Sequence, residues 1–333
     1  MRLRTQVRSP LALAMHWAAP DSFTDDGASG NLIYLILPPD FASRNSVTVA
    51  ACGDLRMTIS TVMVSLTLGQ SNEARLEIAG ELAERFGAGM VGIAAGQFAP
   101  PLYFTDGQYA QDLIDRGEAE IRKRLLELET QFRQAAKNRA TIVDWRSALD
   151  FPARFILREA RCADIIVDGG RSPAMSDAFA LASPKDLVMQ TGRPLLVVPD
   201  AANWLDLRSV LVAWKNTPEA RRAVADAVPL LQKAKDVTVA EILEQDGSRA
   251  DAEQGVKDVV GWLSRHGVSA SPRVSENNEN HDATVQLDEI AGEVGAGLIV
   301  AGAYGHSRFR ELILGGMTQH LVTQSVRCVL LSH

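Results

Sequence analysis

The sequence predicts an α/β protein built as two tandem units, each of parallel βαβ elements with helices on both sheet faces. Three observations predict it. From residue 57 onward, apolar runs of strand length alternate with amphipathic helical patterns. The alternation occurs twice, opening as TVMVSLTLGQSNEARLEIAGELAERF from Thr61 and as SVLVAWKNTPEARRAVADAVPLL from Ser209. Near the end, the apolar run Leu298, Ile299, Val300, Ala301 leads directly into GAYGHSRFRELILGGMT over residues 302–318.

The first unit spans 57–200. It opens with a strand, Ile59 to Leu66, and a helix for which Ser71 is the expected cap. Ile78, Leu82 and Phe86 mark the buried face of that helix. A second strand covers Ala88 to Ala95, a long polar helix covers Asp106 to Lys137, and a third strand covers Thr141 to Trp145. A helix then leads to a fourth strand within ARCADIIVDGG, from Ala160, and Pro194 to Val198 closes the unit. Pro199 to Leu207 reads as a linker.

The second unit, 207–333, repeats this order. Thr217 is placed to cap its first helix and Pro218 to occupy the first turn. Ala220, Val224, Ala227, Val228 and Leu231 form that helix's apolar face. Asp236 to Leu243 is the second strand, Ala250 to His266 a helix, and Ser269 to Val274 the third strand. The fourth strand lies in EVGAGLIVAGAYG, from Glu293, and Cys328 to Ser332 closes the unit.

Residues 1–56 differ from the rest. Arg2, Arg4 and Arg8 precede a short apolar stretch that His16 and Trp17 interrupt, a poor secretory signal. The segment reads as an upstream extension of the reading frame or a disordered tail. The net charge of -7 argues against a nonspecific nucleic-acid binder. No apolar run is long enough for a membrane-spanning helix. Cys52, Cys162 and Cys328 lie far apart without metal-ligand spacing, which suits a reducing cytoplasm. Cys162 and Cys328 sit beside apolar runs and read as small buried hydrophobes.

Glycines let backbone amides approach an anion, and a helix N-terminus presents unpaired N–H groups. A strand, a glycine-containing loop and a new helix therefore point to a nucleotide. The spacing Gly302-x2-Gly305-x9-Gly315, with the repeat and the closing apolar strands, resembles the universal stress protein (UspA-like) family over about residues 57–333. The resemblance implies a five-stranded parallel sheet per unit in a Rossmann-like arrangement. It also implies ATP or AMP at the C-terminal strand ends, with Mg as an accompanying ion, and a role in stress survival through binding rather than fast catalysis. The positions carried over are Gly302, Gly305, His306, Gly315, Gly316, Met317 and Thr318, with Ala213 and Lys215 at the end of the first strand.

Two departures bear on this. Gly316 stands where the family has Ser or Thr, although Thr318 follows within the first helical turn. Lys215 stands where the family has an acidic residue, and an ammonium cannot accept a hydrogen bond from ribose or adenine. The first unit departs further. Gly169 matches the first glycine, Ser172 and Ala182 replace the next two, Ser183 matches the hydroxyl position and Thr67 replaces the acidic residue. It reads as a degenerate copy that packs on the second unit as an intramolecular pseudo-dimer through the final strands of both. A homodimer of whole chains is a further expectation.

Other residues have plainer readings. Arg308 and Arg310 sit on an exposed helical pattern whose Phe309, Leu312 and Ile313 face inward. Asp164 and Asp168 flank a buried strand and read either as a carboxylate pair or, more commonly for strand-end aspartates, as capping or turn residues. The aromatic loop Gly96 to Gly107 reads as packing, and Trp214 as either an adenine neighbour or core. No Walker A ending and no Glu-x-x-His or His-x-x-x-His spacing is present. A protein that keeps the fold without nucleotide, and a weak ATP hydrolase, remain the alternative readings.

Overall fold

The apolar runs become ten strands of one sheet, seen in a computed structural model that describes residues 58–99, 107–170, 182–243, 247–277, 283–303 and 316–333. The first half comprises β1 (Thr61–Ser65), α1 (Glu73–Phe86), β2 (Gly89–Ala95), α2 (Gly107–Ala136), β3 (Val143–Ala148), α3 (Pro152–Glu159), β4 (Ile165–Gly169), α4 (Pro184–Gln190) and β5 (Leu195–Val198). The second comprises β6 (Ser209–Ala213), α5 (Pro218–Leu231), β7 (Asp236–Ile242), α6 (Arg249–Arg265), β8 (Ala270–Ser275), α7 (Ala283–Glu293), β9 (Leu298–Gly302), α8 (Gly316–Thr323) and β10 (Cys328–Ser332). The expected extension 1–56, and with it Cys52, lies outside the described residues.

The strand order is β3-β2-β1-β4-β5-β10-β9-β6-β7-β8. Within each half the described strands pair in parallel. At the centre β5 and β10 pair antiparallel, with Leu196 opposite Leu330. The final strands thus join the halves into one sheet. The reversal at this seam sends the C-terminal strand ends of the two halves to opposite edges of the sheet.

Side-chain alternation splits the core into two layers. Val62, Val64, Val210 and Val212 face one layer with Ile78 and Leu82 of α1, Phe132 of α2, Val224 of α5 and Val256 of α6. Met63 and Leu211 face the other with Phe155 of α3, Leu187 of α4, Ile290 of α7 and Leu321 of α8. Both layers run through both halves. Among the described residues no helix is long and apolar enough to cross a membrane. Charged pairs such as Arg122–Glu118 and Arg133–Glu129 line the longest one, α2.

Thr217 caps α5 by accepting from the Ala220 amide, as its position predicts. Ser71 lies one residue before the N-cap and reaches α1 only through a long contact, its Oγ accepting from the Glu73 amide at 3.5 Å. The N-cap is Asn72, whose side chain turns back into the loop. Asn72 Oδ1 accepts from the Thr67 amide at 2.9 Å, and Nδ2 donates to the carbonyls of Thr67 and Gln70. The third strand also shifts, from the expected Thr141–Trp145 to Val143–Ala148. It is an edge strand, so Arg146 and Ser147 fit within it although their polarity masks its end. The start of the aromatic loop packs as expected: the Phe98 ring lies on α2 at Gly117.

Candidate functional site

In each half the chain order reverses across one strand pair, β1/β4 and β6/β9. Open α/β sheets form their clefts at the carboxyl ends of such a pair. In the second half these ends are Ala213 and Gly302, since Ala213 pairs with Ala301 in register. The segment after β9 carries Gly305, His306, Arg308, Arg310 and Gly315, all outside the described residues. The chain is described again at Gly316, where α8 begins.

Gly302 has a local reason to be glycine. A Cβ there would stand 2.5 Å from the Ala220 amide nitrogen and 2.7 Å from the Glu219 carbonyl carbon. The first turn of α5 thus rests directly on the end of β9. Gly302 permits helix–strand packing, the role of the final glycine in dinucleotide-binding turns. Gly316 is the opposite case: it is exposed, and a Cβ there would meet no described atom within 4 Å. Met317 is half-buried against the second core layer, and Thr318 is buried at 4% exposure. At the β6 end Ala213 is half-buried and Lys215 is exposed. Trp214 belongs to the core layer under α6, with its indole nitrogen near Gly255.

Glu219 was not anticipated. It sits in the first turn of α5, is only 4% exposed, and its Oε2 accepts no hydrogen bond among the described residues. A carboxylate is favourable at a helix N-terminus. At the exit of β9, the Ala303 amide donates to the Ser332 carbonyl, and His333 Nδ1 lies 3.0 Å from the Ala303 carbonyl.

The matching position in the first half is occupied by protein. Arg75 stands three residues after the N-cap Asn72, as Ala220 stands three after Thr217. Its guanidinium, 3% exposed, lies across the ends of β1 and β4. Nη1 donates to the Ser65 carbonyl at 3.0 Å and to Thr67 Oγ1 at 2.9 Å, and Nη2 donates to the Ser71 carbonyl at 2.9 Å. Asp168 Oδ1 lies 4.0 Å from Nη1. A Cβ on Gly169 would stand 3.2–3.4 Å from the Arg75 side chain. The sequence carried a signal for this, because Arg75 falls in the apolar stripe with Ile78, Ala79 and Leu82.

Asp164 acts at the other end of β4. Its carboxylate accepts from the Ser60 and Thr61 amides, both at 2.9 Å, which ties down the start of β1. Asp164 and Asp168 are therefore not a catalytic pair. Cys328 is the buried hydrophobe expected, its thiol pushed up to about 12 by burial and then by the Glu81 charge. Cys162 departs from that expectation: it is half-buried, and Arg146 donates to its Sγ at 3.3 Å. Among the described residues no three His, Cys, Asp or Glu side chains gather to hold a metal ion. A cleft of about 240 Å³ lies at the seam between the halves, lined by Gly170, Val197, Leu321, Val322 and Arg327 among others.

No protein-family model matches the chain, and no curated protein matches it. Solved structures do. A universal stress protein from Archaeoglobus fulgidus DSM 4304 superposes with a TM-score of 0.61 at 14% identity, over 82% of this chain and 97% of that one. A functionally unknown protein from Pseudomonas aeruginosa PAO1 does so with a TM-score of 0.50 at 14% identity, over 82% and 92%. At such identities the likeness is one of architecture, and the fold of the described residues is that of a universal stress protein.

Proposed function

We propose that this is a stress-response protein that binds one adenine nucleotide, ATP or AMP, in its second half and acts through that binding rather than fast catalysis. The observation that carries the reading is the position of the glycine segment. It leaves β9 at the β6/β9 switch point and ends where Gly316 opens α8, beside an exposed backbone. Gly305, His306, Gly315, Gly316 and the amides of Met317 and Thr318 are assigned to the phosphates, and Gly302 to positioning α5. Thr318 is buried, so its amide rather than its hydroxyl serves. Lys215, exposed at the β6 end beside Ala213, supplies positive charge to a phosphate. Glu219 supplies the acceptor for a ribose or adenine donor that Lys215 cannot be. Mg would arrive with a triphosphate and be held by its oxygens.

The second reading is a protein that keeps this fold for packing or partner contact and binds no nucleotide. The burial of Thr318 and the use of Gly302 in packing favour it. Calorimetry with ATP, ADP and AMP separates the two. Binding that weakens about tenfold in Glu219→Gln, the loss of one charged hydrogen bond, supports the first reading. No heat at millimolar ligand, and no nucleotide in the denatured extract of fresh protein, supports the second.

A further inference from the structure

The switch point of the first half is closed by the chain itself. We propose that Arg75 is a tethered occupant of this cleft, and that the walls around it select a small planar cation and reject anions. The guanidinium donates to the Ser65 carbonyl, Thr67 Oγ1 and the Ser71 carbonyl, with the Asp168 carboxylate just beyond. All accept hydrogen bonds, and a guanidinium offers donors in a fixed planar fork. A phosphate in the same place would set acceptor against acceptor beside a buried carboxylate, and these groups would not offset its desolvation.

The surroundings are shaped for this guest. Thr67 directs its hydroxyl to Arg75, and its amide and carbonyl are both held by Asn72. The loop from Ser65 to Asn72 is longer than its counterpart from Ala213 to Thr217, and its Ser71 carbonyl supplies an acceptor. Where Gly302 meets helix backbone, Gly169 meets the Arg75 side chain. In the first half a side chain therefore fills the space between helix and strand that backbone fills in the second. Removing Arg75 uncovers a cation pocket, not a second nucleotide site. This inference stands whether or not the other half holds nucleotide.

Chemical rescue of Arg75→Ala in the full chain tests it. The variant is expected to lose about 5 °C or more in Tm, because several buried acceptors lose their donor. Methylguanidinium at millimolar concentration is expected to restore much of that loss, and methylammonium or sodium chloride at equal concentration is not. A folded variant rescued equally by all three, or by none, overturns the proposal. So does an added equivalent of bound ATP. If the variant does not stay folded, its refolding yield from urea gives the same reading. A yield raised by methylguanidinium above methylammonium supports the proposal, and equal yields overturn it.

Discussion

Gly169 and Gly302 hold matching positions, but what each touches differs, and so does the cost of a methyl group. At Gly302 the obstacle is the backbone of α5, which cannot swing away. Gly302→Ala is expected to cost about 1–3 kcal/mol of stability by overpacking, read as a lower midpoint in urea. Gly169→Ala should cost less, since the obstacle is the Arg75 side chain and the approach is no closer than 3.2 Å. Equal costs would mean that the two glycines meet equally rigid neighbours. Asp226, on α5, makes a pH prediction. Burial raises its pKa, against the lowering effects of the Ser332 hydroxyl and then of the Arg222 and Arg193 charges. The unfolded chain therefore releases this proton first, and the group costs stability as pH rises from the usual carboxylate range through its folded value. Asp226→Asn should raise Tm at pH 7, and the gain should vanish near about pH 4. A gain independent of pH would contradict this. Residues in period were legible in the sequence: Ile78, Leu82, Val224 and Leu231 needed only their spacing. Glu219 was not, because a charge in a helix's first turn reads as solvated, and Arg75 was legible only through its place in the apolar stripe of α1. Only the fold shows that both are buried.

At the element scale the strands were the most legible, since a strand buried on both faces leaves a continuous apolar run. β9 and β10 are such strands, and both fall where their apolar runs stand. Edge strand β3 slipped because its polar residues resemble a turn. Caps were legible where the side chain serves its own helix. Thr217→Ala should cost about 1 kcal/mol, the loss of one N-cap bond, whereas Ser71→Ala should change stability by less than about 0.5 kcal/mol. Matched costs in urea denaturation would mean that Ser71 caps α1 after all. Asn72 escaped notice for a physical reason: it sits at the N-cap, but its hydrogen bonds shape the preceding loop.

At the scale of the molecule, one ten-stranded sheet carries two switch points at opposite edges. The repeat was legible because both halves keep the same order of strands and helices. The unequal fate of the clefts was legible only in part: the missing glycines marked the first as degenerate, but not as filled. With Arg75 in the first cleft, and the second cleft proposed to hold its ligand at the start of α8, the chain is expected to take up one nucleotide. Native mass spectrometry that counts ATP bound per chain tests this most directly. One equivalent is expected in the wild-type protein, none in Gly305→Arg and one in Arg75→Ala. Two equivalents in the wild type, or none at millimolar ATP, would contradict a single open cleft.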